Sequence, residues 1–234
     1  MIPNHSQTQF ANISSSWFPW DSQEQYKQNL QRPYFKEEPW HTEVFYEFNH
    51  HGFRGKFIEN CDILALGCSF TTGVGIPENK TWASIVGQTT NKTVTNLGVG
   101  GAGMDTVYRL AKYYIPLLQP KSVMLLVPDT IRLEILNDKQ ESRTACIMDD
   151  ELSTISHYDI REWVTTPINN ELYVERSINA LAYLCLCNKI EFYYEMGFNI
   201  LHNGPGSGWD IARDGAHPGI PYQEFIAGKF ISRA

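Results

Sequence analysis

The clearest regularity in the chain is a set of short, almost wholly apolar runs. Asp62-Ile63-Leu64-Ala65-Leu66-Gly67 is the first, and Ser122-Val123-Met124-Leu125-Leu126-Val127 is the most continuous. A strand buried on both faces reads as an unbroken apolar run rather than an alternating one, so both predict strands of a covered parallel sheet. Residues 93–97 and 190–194 predict two more strands, and residues 43–48 a strand followed by a turn over 49–52. Between these runs the apolar spacing becomes helical. Trp82, Ile85 and Val86 mark one helix. Met104, Val107, Ala111 and Tyr114 mark a second, with Asp105 at its N-terminal end and Pro116 and Pro120 disrupting its last turn. Val174, Ile178, Leu181 and Cys185 share one face of a third, and Tyr222, Phe225, Ile226 and Phe230 one stripe of the last. Residues 137–167 are polar and predict an irregular surface excursion; Gly204, Gly206 and Gly208 mark a loop.

Strands alternating with helices predict an α/β fold, a three-layer α/β/α sandwich around a mostly parallel central sheet. Ligands bind such sheets at the carboxyl ends of the strands, so the loops after the predicted strands should meet. The domain spans residues 43–234. Residues 1–42, rich in Ser, Gln, Asn and aromatics without clear periodicity, predict an irregular N-terminal arm packed on it.

Composition narrows the function classes. The 234 residues are 42% hydrophobic and 19% charged, ordinary for a globular chain. Net charge is −7 with no cluster of lysine or arginine, which speaks against nucleic acid or anionic lipid as partners. No apolar run approaches the roughly 18 residues that cross a bilayer. The first twenty residues carry neither a basic start nor an apolar stretch, so the expectation is a cytoplasmic protein, with release by lysis or within a particle left open. Cys61, Cys68, Cys146, Cys185 and Cys187 match no disulfide or zinc spacing and read as free thiols. His50-His51 and Asp149-Asp150 read as solvated pairs rather than metal ligands. Trp17, Trp20, Trp40 and Trp209 suit a substrate groove or a set of anchors for the arm equally well.

Two segments carry candidate chemistry. In Gly67-Cys68-Ser69-Phe70-Thr71-Thr72-Gly73 a serine follows a buried strand and opens a helix, which presents its hydroxyl and its own N–H at the sheet's edge. The same pattern also describes a serine that caps a helix. In Asp214-Gly215-Ala216-His217-Pro218-Gly219 an aspartate three residues before a histidine can hold the ring in the tautomer that accepts a proton from serine. A capping aspartate beside an exposed histidine is the plainer alternative.

Taken together, the segments resemble the SGNH (GDSL-type) serine hydrolases. Gly67-x-Ser69-x-Thr71-x-Gly73 is similar to the family's first block, with Cys68 where aspartate is frequent. Asn96-x-Gly98-x-x-Gly101 is similar to the second, and Asp214 to His217 to the last; the resemblance runs over roughly residues 62–230. Residues 46–55 resemble a stretch upstream of the first block in members from microbes and their viruses, which implies that the arm belongs to the hydrolase domain. The resemblance implies a flavodoxin-like fold, Ser69 as nucleophile, His217 as general base and then acid, and Asp214 as the group that orients His217. The N–H groups of Ser69 and Gly101 would form the oxyanion hole. No metal or cofactor is implied, and the substrate would be a small-molecule, glycan or lipid ester, an acetylated carbohydrate among them.

The third block departs from the family. There Gly-x-Asn-Asp supplies an asparagine donor to the oxyanion, whereas this chain has Val127-Pro128-Asp129-Thr130-Ile131-Arg132. Losing one such donor typically costs on the order of a hundredfold to a thousandfold in rate. Thr130 is the candidate replacement, and Arg132 a second one unless it pairs with Glu134. Two functions from different classes follow: an esterase, or a weakly active or inactive binding module with the same fold. Acyl transfer would use the same residues as hydrolysis, and neither substrate nor oligomeric state is fixed by sequence.

Overall fold

The computed structural model describes residues 4–130, 132–136, 142–146, 166–197 and 210–233. Four parallel strands form the central sheet of this region: β3 (Ile63–Leu66), β4 (Val94–Asn96), β5 (Ser122–Val127) and β8 (Glu191–Met196), in the order β4-β3-β5-β8. The first strand in sequence lies between the second and third, the flavodoxin-like order in which the chain reverses direction across the sheet at β3. Every residue of β3 and β5 is buried, as their unbroken apolar runs require.

The strand order, with the right-handed crossovers usual for parallel sheets, calls for the helix between β3 and β4 on one face and those after β4 and β5 on the other. Accordingly α3 (Trp82–Thr90) packs with the C-terminal α6 (Ile220–Ile231), where Trp82 stacks on Phe230 with ring centroids 4.7 Å apart. On the opposite side α4 (Met104–Leu118) packs with α5 (Pro167–Cys187). The result is an α/β/α sandwich with a single large core. No described helix is long and apolar enough to cross a membrane.

Several expectations are corrected. Residues 43–48 contribute only the two-residue strand β2 (Tyr46–Glu47), because Glu38 and His41 cap a 3-10 turn over Pro39–Glu43 that uses up the start of the segment. Pro116 does not end α4; the missing N–H costs one bond in the last turn and the helix continues to Leu118. Part of the predicted excursion is ordered: β6 (Arg132–Leu136) pairs antiparallel with β7 (Ser142–Cys146). Residues 137–141 and 147–165, with Asp149 and Asp150 among them, and the glycines at 204, 206 and 208 lie outside the described residues. On α6, Tyr222, Ile226 and Phe230 are buried but Phe225 is 38% exposed, since the buried face turns the other way to take in Gln223 and Ala227. His51 is buried rather than solvated.

The arm has elements of its own. β1 (Ser14–Ser15) pairs antiparallel with β2, and Ser22 caps α1 (Gln23–Asn29) by accepting from the Gln25 N–H. Phe18 packs with Val44, Tyr46, Phe48 and Val74 in a second, smaller core.

Candidate active site

The apolar run of β3 stops at Leu66, and the chain turns at once into the short helix α2 (Ser69–Thr72). Ser69 is its first residue and Gly73, in the left-handed region, ends it. Ser69 is only 4% exposed, yet its hydroxyl is not among the fully buried oxygens that lack a partner. Its side chain makes no hydrogen bond to the described residues.

Before α6, residues 211–218 form a tight loop closed by an Ile211–Pro218 bridge and by the Ala212 N–H donating to the His217 carbonyl at 2.8 Å. Inside it, Asp214 Oδ2 lies 2.5 Å from His217 Nδ1. The other carboxylate oxygen accepts from the N–H groups of His217 at 3.1 Å and Ala216 at 3.3 Å. Asp214 is 1% exposed and is held from both oxygens; the His217 side chain keeps 18% of its surface. With Nδ1 turned to the carboxylate, Nε2 is the nitrogen left to accept a proton.

The two loops meet through neighbours of these residues. The Phe70 ring stands edge-on to the His217 ring at 5.6 Å. The Arg213 N–H donates to the Gly75 carbonyl at 3.0 Å, and Gln223 Nε2 donates to the Phe70 carbonyl at 3.2 Å. Gly75 shows how close the approach is: a Cβ there would lie 3.0 Å from Asp214 Oδ1 and 2.9 Å from Ala212 Cβ. No hydrogen bond joins the Ser69 hydroxyl to His217 in the described structure. Catalytic hydrogen bonds commonly tighten only when substrate is bound.

The loop after β4 reaches the same rim. Asn96 Nδ2 donates to the Thr71 carbonyl at 2.7 Å, and the Val99 N–H donates to the Gly67 carbonyl at 3.1 Å. Gly101 has φ +77°, and a Cβ added there would meet nothing within 4 Å. Glycine is needed at 101 for its backbone conformation, not for lack of room, and the space in front of it is open. Neither the Ser69 N–H nor the Gly101 N–H donates to a described residue. Thr130, half-buried, lies just beyond the carboxyl end of β5. Glu134 is bonded by Arg109, at 2.8 and 2.5 Å, so its charge is already answered by a residue other than Arg132.

Sequence reasoning missed what holds this rim in place. Gln7, fully buried in the arm, accepts from the Gly100 N–H at 2.7 Å and donates to the Gly98 and Gly52 carbonyls. Trp20 lies against Gly100, and Trp17 lies under the Arg213 guanidinium at 4.0 Å; Trp40 packs on His41, while Trp209 is outside the described residues. Arg54, 2% exposed, donates to the carbonyls of Thr72, Gly73, Ile76 and Phe45. Only the arginine between glycines at 52–55 and the one beside Asp214 hinted at this in sequence. A groove of about 1130 Å³ between residues 43–58 and the α3–β4 region includes none of Ser69, Gly101, Thr130, Asp214 or His217.

No protein-family profile and no curated protein sequence matches the chain. Among solved structures it is similar to an acetyl xylan esterase from Butyrivibrio proteoclasticus at 13% identity, over 81% of this chain and 66% of that one, with a TM-score of 0.44. It is also similar to the lipase/acylhydrolase from Enterococcus faecalis at 11% identity, over 73% and 93%, with a TM-score of 0.38. A family two carbohydrate esterase from Clostridium thermocellum is similar at 14% identity, over 76% and 65%, with a TM-score of 0.38. At these values the functional reading rests on the residues of the site.

Proposed function

We propose that the chain is a serine ester hydrolase of the SGNH type that uses Ser69, His217 and Asp214. The observation that carries this reading is the Asp214–His217 pair, fixed at 2.5 Å beside Phe70, the residue that follows Ser69. In the proposed reaction His217 Nε2 takes the Ser69 hydroxyl proton as Oγ attacks the ester carbonyl carbon. The negative charge that develops on the carbonyl oxygen is met by the N–H groups of Ser69 and Gly101, with Thr130 as the candidate third donor. Collapse breaks the bond to the alcohol, which leaves with the proton from His217, and the acyl group stays on Ser69. Water then attacks, giving a proton to His217, which passes it to Ser69 Oγ as the acyl–Oγ bond breaks and the acid is released. Asp214 stabilises the imidazolium at each stage without itself taking the proton. The triad generates its own nucleophile, so this chemistry calls for no metal or cofactor.

A panel of p-nitrophenyl esters from acetate to laurate, together with acetylated sugars, tests the reading. Turnover on at least one of them, lost in Ser69→Ala and in His217→Ala, is the expected result. One feature favours a second reading, a binding module with little turnover: β5 runs into Pro128-Asp129-Thr130 with no asparagine. Folded wild-type protein that hydrolyses nothing on the panel and resists a fluorophosphonate would make that the better account.

A further inference from the structure

We infer that the hydroxyl of Tyr46 is a positioning group for the reaction, acting through a closed ring of buried hydrogen bonds that ties the Ser69 loop to the Asp214 loop. This rests on the hydrolase reading above.

The ring can be followed bond by bond. The Gly75 N–H donates to the Tyr46 hydroxyl at 2.8 Å, and that hydroxyl donates to Asp21 Oδ2 at 2.6 Å. The same Asp21 oxygen accepts from Arg213 Nη2 at 2.6 Å, and the Arg213 N–H returns to the Gly75 carbonyl at 3.0 Å. Tyr46 and Asp21 are fully buried and Arg213 is 2% exposed. Gly75 is therefore gripped at both its N–H and its carbonyl. It lies on the segment that follows Ser69, and Arg213 is bonded covalently to Asp214. The ring therefore meets the candidate machinery at the segment after Ser69 and at the residue before Asp214.

The remaining donors of Arg213 are directed away from the site. Nη1 donates to the His41 carbonyl at 2.9 Å and Nη2 to the Ser16 carbonyl at 2.5 Å. Its charge is matched by Asp21, so it does not compete with His217 for the Asp214 carboxylate. Arg54 lies over the Tyr46 ring at 4.4 Å and holds the carbonyls at the end of α2, which keeps the phenol from swinging out. Burial and the neighbouring Asp21 raise the Tyr46 pKa, so the hydroxyl stays protonated and can donate and accept at once.

Tyr46→Phe removes one oxygen and leaves the ring against Phe18, Phe48 and Arg54. The test measures the rate of Ser69 labelling by a fluorophosphonate well below the melting temperature, alongside kcat and KM on the best ester. It also records the low-field proton NMR signal of the Asp214–His217 pair. The expected result is a loss of about tenfold in labelling rate and in kcat, since small misplacements of reacting groups are costly. KM should stay within about twofold, because substrate binding is not the step affected. The low-field signal should broaden or vanish. A tyrosine that only supports the fold would lower the melting temperature and leave rate and signal unchanged, and that outcome overturns the inference. If Tyr46→Phe does not fold, Arg213→Lys, which keeps the charge but opens the ring, is judged by the same readings. A wild-type protein that resists the probe overturns the hydrolase reading and this inference with it; a labelled wild type with an equally reactive variant overturns only the inference.

Discussion

Mild acid should destabilise the fold through the buried histidines of the arm. His5 is 4% exposed and stacks on Phe53 at 4.4 Å. Its Nε2 faces the His51 carbonyl at 3.0 Å, so that nitrogen donates, and its Nδ1 faces the Gln7 N–H at 3.3 Å, so that nitrogen accepts. Both positions are spoken for by the neutral ring, and burial holds the pKa down to about 4. In the unfolded chain a histidine titrates near 6.5. Below that value the unfolded state binds a proton that the folded state refuses until about pH 4, so stability falls as pH drops through this window. From pH 7 to pH 5 the loss from His5 is about 2 kcal/mol, a large share of the roughly 5–15 kcal/mol that holds a domain together. His41, whose pKa burial and the Arg213 charge also lower to about 4, adds to the loss in the same direction. The assay is urea unfolding at both pH values for the wild type and for His5→Gln, which keeps a donor for the His51 carbonyl but does not titrate. The wild type should lose about 2 kcal/mol more than the variant over this range. Equal losses would refute the reasoning.

Other consequences concern the loops of the site. Gly75→Ala should cost more than the roughly 1–2 kcal/mol of a left-handed alanine, because its Cβ also collides with Asp214; melting temperature and ester turnover should both fall, turnover by at least about tenfold. Gly101→Ala, in open space, should cost only the roughly 1–2 kcal/mol of the left-handed conformation in thermal unfolding, yet it should slow turnover by placing a methyl group where the ester must lie. Thr130→Val, nearly the same shape, should lower kcat by about tenfold or more with KM little changed if its hydroxyl is the third oxyanion donor, as steady-state kinetics will show. An unchanged kcat assigns the oxyanion to the two N–H groups alone.

The sheet was legible because burial on both faces leaves a direct mark: β3 and β5 are the two most continuous apolar runs and are wholly buried. The Asp214–His217 contact was legible because it is local, three residues apart on one loop. What escaped was long-range. Arg213 meets Asp21 across 192 residues and Gln7 meets Gly100 across 93, and nothing in the local pattern of either residue points to its partner. Residues 43–48 look like a strand by composition, but Pro39 and the Glu38–His41 cap impose a tight turn that propensity alone does not report. His51 looked solvated beside His50, yet its Nδ1 lies 3.3 Å from the Tyr114 hydroxyl inside the core. Legible chemistry was therefore confined to loops at the sheet's edge, while the arm that braces them could be read only from the fold.

A crystal structure of the protein after reaction with a phosphonate ester would judge the esterase account most directly. Phosphorus bonded to Ser69 Oγ, its oxygen within hydrogen-bond reach of the Gly101 N–H and His217 Nε2 facing the adduct, is the predicted outcome. An adduct on another residue, or one on Ser69 whose oxygen points away from Gly101 and His217, would contradict it.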